Sequence, residues 1–185
     1  MAYQVLLVKL PKSLVIMQNK NEITTNKFKS AIENTYDVKD GYCIGLRALK
    51  SNASHVSVED TRKLEGSLDI DSCTKNIYPN DSRWDYSIGY DGKAYFLEVH
   101  PASTSNVKDL IKKAEWLSIW LRNKAPELKK LMNNEIFYWV ASGKQSILPN
   151  SVQSRQLAQS HIRLVKCLEL PVRAGSQGKR KAGLH

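Results

Sequence analysis

Nothing in this sequence marks a membrane protein, a disulfide scaffold or a zinc domain. No uninterrupted apolar run approaches the roughly 20 residues that a membrane span needs. The cysteines Cys43, Cys73 and Cys167 are far apart and odd in number, and no Cys-x-x-Cys pair exists. They suggest neither a zinc site nor a disulfide framework; each is expected to be a small buried filler in a reducing compartment. The histidines His55, His100, His161 and His185 are scattered, which is not a metal-ligand spacing. There is no Walker-type loop and no Gly-x-Gly-x-x-Gly, so a nucleotide-binding fold is not indicated. No Ser or Cys nucleophile beside a base is signalled either. Met1 to Met17 has the apolar content of a signal peptide, but Lys9, Pro11 and Lys12 break its core and no small-residue cleavage site follows. A strand pair there, and a cytoplasmic protein, are the expectation.

Acidic surplus is also missing. The 185 residues carry a formal net charge of +10, unevenly spread. Residues 51–100 hold nine acidic residues against five basic ones, while the stretches on both sides are net basic. A basic surface attracts polyanions and releases their counterions on binding. An acidic centre in such a surface is what a metal-dependent phosphodiesterase needs. The length and a hydrophobic content of 42% suit one domain with its own core. That domain is expected over 1–172, with a basic, disordered tail over 173–185.

Local patterns predict its elements. Phe28, Ile32 and Tyr36 recur at i, i+4 and predict a helix over 24–36. Residues 43–49 are ambiguous between strand and helix. Ser57 followed by Asp60 suggests a short helix through Glu65, closed by Gly66. Residues 83–90 and 93–99 read as strands of a hairpin turned at Asp91-Gly92, with Phe96 and Glu98 on one face and Tyr95, Leu97 and Val99 on the other. Ser103 or Ser105 can cap a long helix to about Asn123, whose stripe is Val107, Leu110, Ala114, Leu117 and Leu121. A short helix from Pro126, a strand over 136–141 and a helix over 151–168 follow. The expected architecture is α/β, a single domain with a central mixed sheet flanked by helices.

The hairpin carries the chemistry. With Asp91-Gly92 as a two-residue turn, Tyr90 faces Lys93 and Asp85 falls opposite Glu98. Two adjacent carboxylates repel unless something positive lies between them. Mg²⁺ or Mn²⁺, held by Asp85 and Glu98, is the natural candidate, with the Val99 carbonyl as a further oxygen and His100 as general base or ligand. Asp69 and Asp71 are a rival acidic pair if Leu68 to Asp71 is a strand. Trp84 is expected in the core on the sheet face opposite Asp85, and Trp116 and Trp120 pack rather than stack on bases. Lys108, Lys112, Lys113, Lys144, Arg155, Arg163 and Lys179-Arg180-Lys181 are available to a phosphate backbone.

The run Trp84-Asp85-Tyr86, then Phe96-Leu97-Glu98-Val99-His100, then a helix, resembles the core of the PD-(D/E)XK nuclease superfamily over about residues 20–145. The resemblance implies a restriction-endonuclease-like fold and metal-dependent hydrolysis of nucleic acid, DNA before RNA, with a homodimer suited to duplex cleavage. Asp85 and Glu98 match the family's metal ligands, and Glu22 or Glu33 an extra acid of some members. His100 stands where the family has Lys. Some relatives carry that basic residue on the following helix, and Lys108, in its first turn, is the residue expected to substitute. The same departure fits a domain that binds nucleic acid without cleaving it; a protein-interaction module is the remaining reading.

Overall fold

The computed structural model describes residues 26–172. The expectations for Met1 to Met17, Glu22, the tail 173–185 and His185 lie outside those residues. In chain order the elements are α1 (Lys27–Glu33), β1 (Tyr42–Cys43), β2 (Val56–Val58), β3 (Leu64–Asp69), α2 (Ile70–Thr74), β4 (Tyr86–Tyr90), β5 (Lys93–His100), α3 (Val107–Asn123), α4 (Pro126–Leu131), β6 (Met132–Ala141), α5 (Val152–Gln159), β7 (Ile162–Val165) and β8 (Leu168–Leu170). Six strands form a mixed sheet in the order β1-β3-β4-β5-β6-β7, antiparallel up to β5 and parallel beyond it. β2 and β8 make a separate parallel pair. No helix among the described residues is long and apolar enough to cross a membrane.

The two sheet faces are covered differently. Phe96 shares a buried cluster with Phe28 and Ile32 of α1, with Leu110, Ala114 and Leu117 of α3, and with Leu128 and Leu157. Tyr95, Leu97 and Val99 instead join Ala48, Leu49, Leu168 and Leu170, under the small sheet and a run of 3-10 turns. The strand alternation read from 93–99 therefore holds, and the α-helices lie on the face that also carries Glu98. Glycine makes one close approach possible: Phe28 of α1 lies over Gly89 of β4, where any Cβ would collide with its ring.

The hairpin turn is as expected. Tyr90 pairs with Lys93 and Tyr86 with Leu97, and Asp91 and Gly92 have φ of 52° and 73°, the positive values a tight two-residue turn requires.

Other expectations are corrected. The first helix spans only Lys27–Glu33, because Asn26 caps it; Tyr36 lies in a 3-10 turn, 81% exposed. In place of a helix after Ser57, Asp60 caps a single 3-10 turn over Thr61–Lys63 and the chain enters β3. Pairing with β4 buries Gly66, Ser67 and Leu68 on both faces, which outweighs a weak cap. The predicted strand over 83–90 begins only at Tyr86, since Arg83 turns to Asp71 and to the carbonyls of Tyr78 and Asp81. Ser103 and Ser105 bond each other and neither caps α3, which starts at Val107. The helix expected over 151–168 stops at Gln159. His161 takes φ 58°, and Ile162–Val165 becomes the outer parallel strand beside β6.

Candidate active site

Asp85 lies one step beyond the last β4–β5 pair, Tyr86 with Leu97, so it faces Glu98 across the hairpin. The two residues clasp each other's strand. The Asp85 amide donates to Glu98 Oε2 at 3.1 Å, and the Val99 amide donates to Asp85 Oδ2 at 3.2 Å. One oxygen of each carboxylate is thereby fixed by backbone. The other two, Asp85 Oδ1 and Glu98 Oε1, converge on a single cation, the ammonium of Lys113, 3.3 Å from the former and hydrogen-bonded to the latter.

Sequence reasoning foresaw that something positive must lie between these acids. The side chain that does so is Lys113, not Lys108. α3 packs over the sheet face that carries Glu98, and Lys113 follows Leu110 by three residues. On a helical wheel it lies roughly 60–80° from the centre of the buried stripe, while Lys108 and Lys112 lie roughly 140–180° away. Lys108 and Lys112 are accordingly exposed, Lys112 beside Asp109. That angle was readable from the sequence; proximity along the chain to His100 was the weaker guide.

Glu98 is 1% exposed. Burial, with the Asp85 charge added, pushes its carboxyl up to about 8, against the pull of Lys113 and of the Asp85 amide. For Lys113, burial works against the charged form, but Glu98 and Asp85 outweigh it and raise its pKa. His100, at the strand end, has Nε2 3.9 Å from Glu98 Oε1 and its ring 4.9 Å from that of Trp139. Its Nδ1 donates to the Pro101 carbonyl at 3.0 Å, which leaves the lone pair on Nε2, toward the acids. Burial holds its pKa below the usual histidine value, with Lys113 acting in the same sense.

Asp69 and Asp71 do not form a pair on one strand face. β3 ends at Asp69, which caps α2 by accepting from the Ser72 amide and hydroxyl and pairs with Lys50 at 3.2 Å. Asp71 is held by Arg83 at 2.8 Å. Glu33 pairs with Lys29 on the surface of α1 and contributes nothing to the site. Trp84 is fully buried, as expected of a core residue, but in the helix-side cluster against Phe137, because residue 84 precedes the regular strand and escapes its alternation. Trp116 and Trp120 stack on each other at 5.9 Å and donate to Asp81 and Asp37. Of the basic residues, Lys108 and Lys144 follow the ends of the parallel strands β5 and β6, where the acids are. Arg163, at the start of β7, is level with Tyr138 and Leu97 and so belongs to the sheet face opposite Glu98.

The donor set fits a hard divalent cation in one respect. Two carboxylate oxygens already face one cation position, and Mg²⁺ is commonly held by one or two carboxylates with water and substrate oxygens completing its shell. Among the described residues no group of three or more His, Cys, Asp or Glu side chains is placed to hold a metal; Asp85 and Glu98 are the two carboxylates that converge there. No family model matches the chain, and neither a curated protein nor a solved structure is similar to it.

Proposed function

We propose that this protein is a metal-dependent nuclease domain that hydrolyses phosphodiester bonds in nucleic acid, on a restriction-endonuclease-like fold. The observation that carries the reading is the convergence of Asp85 Oδ1 and Glu98 Oε1 on the Lys113 ammonium. The order of parts agrees with it: α1, the three antiparallel strands β3, β4 and β5, then α3, then β6 parallel to β5. The lysine that His100 displaces from the strand is supplied by the helix.

Asp85 and Glu98 would hold Mg²⁺ or Mn²⁺. A divalent cation bound there supplies Lewis acidity and a more acidic water. His100 Nε2, unprotonated at neutral pH, accepts the proton of the attacking water. Lys113, whose charge the neighbouring acids sustain against burial, steadies the negative charge that grows on the phosphoryl oxygens. Lys108 and Lys144, exposed at the same end of the sheet, bind flanking phosphates. DNA is the first substrate to try, RNA the second.

A non-catalytic nucleic-acid-binding domain is favoured by the same ammonium read differently: a pair of acids already bridged by Lys113 needs no metal. Incubation of the purified chain with single-stranded, duplex and branched DNA and RNA, with Mg²⁺ or Mn²⁺, separates the two. Cleavage that disappears in Asp85→Ala and Glu98→Ala while binding persists is expected. Salt-dependent binding by a folded protein with no cleavage of any substrate would discard the nuclease in favour of the binding domain.

A further inference from the structure

Lys113 occupies the position that a divalent cation would need. Asp85 and Glu98 have four carboxylate oxygens between them, and two are fastened: Glu98 Oε2 accepts from the Asp85 amide and Asp85 Oδ2 from the Val99 amide. The two that remain, Asp85 Oδ1 and Glu98 Oε1, are the two that the ammonium bridges. Glu98 is 1% exposed and the Lys113 side chain 28%, so the lysine rather than the buried acid meets solvent there. Ammonium and cation therefore compete for one place.

Where a displaced ammonium would go decides which of the two stays. Leu110, Ala114 and Leu117 hold α3 in the core, so the helix is fixed and only the lysine side chain can swing. A cation that took the two carboxylates would leave the ammonium half-buried, without its counter-charges and beside a second positive charge. Asp109, one turn back on α3, is a poor substitute: it is exposed and already lies 3.8 Å from Lys112, where water weakens any pairing. Among the described residues Lys113 has no ion pair other than those with Asp85 and Glu98. A phosphodiester anion resolves the conflict, because one of its oxygens can accept from the ammonium while another ligates the cation.

We propose that Lys113 is a latch that makes cation binding depend on nucleic acid: in the free protein it closes the cation position, and a divalent cation binds tightly only together with a phosphodiester that takes over the ammonium. The latch rests on the nuclease reading and adds an order to it, since the substrate admits the metal. Two arrangements of one side chain suffice, Lys113 on the acids or Lys113 on a phosphate, and each ligand favours the second. Because the coupling is a binding free energy it is reciprocal, so the cation tightens nucleic-acid binding by the same factor. A free protein closed in this way also keeps two adjacent carboxylates compensated when neither ligand is bound.

The Mn²⁺ affinity of the full chain tests it, read as free Mn²⁺ by electron paramagnetic resonance, with uptake by DNA alone subtracted. The probes are two hydrolysis-resistant oligonucleotides of one sequence at saturating concentration: a phosphorothioate, whose backbone is anionic, and a methylphosphonate, whose backbone is neutral. The phosphorothioate should tighten Mn²⁺ binding by wild type roughly tenfold or more, and the methylphosphonate should not. Lys113→Gln, with no DNA present, should already bind Mn²⁺ roughly tenfold tighter than free wild type and gain less from the phosphorothioate. Lys108→Gln loses the same charge from the exposed side of α3 and should behave as wild type, which separates an opened latch from a mere change in net charge. Wild type that gains nothing from the phosphorothioate, or gains equally from both oligonucleotides, would overturn the latch while leaving the nuclease reading in place; this comparison needs no variant to fold. Free wild type binding Mn²⁺ as tightly as Lys113→Gln would do the same. No Mn²⁺ binding by Lys113→Gln or by wild type with the phosphorothioate would overturn both.

Discussion

The antiparallel part of the sheet holds carboxylates at both ends, and they are satisfied in opposite ways. At the hairpin end, Glu65 occupies the step where the β3–β4 register slips between Leu64 and Gly66. Its two oxygens accept from backbone: the Phe28 amide at the start of α1, at 3.0 Å, and the Gly92 amide of the turn. Nothing there can leave without unfolding a helix start or a hairpin. At the far end, Asp85 and Glu98 each give one oxygen to backbone and the other to Lys113, a flexible side chain that can move away. Glu65 is a fastener. Asp85 and Glu98 are half fastened and half available, which is the condition a binding site must meet.

The sharpest way to break this contrast is to remove the available acids. Asp85→Ala and Glu98→Ala should each lower metal-dependent cleavage by about 10³-fold, about 4 kcal/mol of transition-state stabilisation. A cleavage assay at saturating Mg²⁺ or Mn²⁺ checks this; activity within tenfold of wild type would remove both residues from the site. Lys113→Met is expected next in size, at about 10²-fold in rate. It also leaves two carboxylates without their cation, so Mg²⁺ should raise the melting temperature of Lys113→Met more than that of wild type. Equal shifts would mean that no cation takes the position Lys113 vacates.

Glu65→Ala should do the reverse. Two backbone amides lose a charged acceptor, at about 1.5–3 kcal/mol per bond in favourable settings; Glu65 is half-buried, so about 2–3 kcal/mol in total is the expectation. Urea denaturation measures the loss. Metal affinity, determined on the folded fraction, should not move. A metal defect in Glu65→Ala comparable to that of Glu98→Ala would erase the distinction between the two ends.

Much of this contrast could be read from residues alone, and where it could not the reasons are physical. Hairpin register followed from Asp91-Gly92, because a two-residue turn leaves no freedom in pairing. That fixed Asp85 opposite Glu98 and put Glu98 on the face shared with Phe96. Glu65 could not be recognised: its role depends on a bulge and on α1, partners 37 and 27 residues away, and a local cap pattern placed it in a helix instead. Lys113 was missed through the choice between three lysines on one helix, where sequence distance was preferred to helical angle. The outer parallel strand, Ile162–Val165, was absorbed into the preceding helix because four residues carry too little periodicity to separate the two. Its identity comes from pairing with Trp139 and its neighbours, a long-range term.

The smallest expected effect is also the most specific to the available end. Glu98 is held protonated up to about pH 8 by burial and by the Asp85 charge, against an ordinary value of 4.5. Between those values the folded protein binds a proton that the unfolded chain has released, so stability falls as pH rises. One such proton sets a limit of about 1.4 kcal/mol per pH unit on the slope, and the contribution levels off above about pH 8. Glu98→Gln removes it, so urea midpoints between pH 5 and 8 should be flatter in the variant than in wild type. A cation competes with that same proton. Mg²⁺ affinity should therefore climb with pH toward about 8 in wild type and remain weak at every pH in Glu98→Gln. A wild-type affinity independent of pH over this range would mean that the cation binds without displacing the Glu98 proton, and would take Glu98 out of the metal-binding pair.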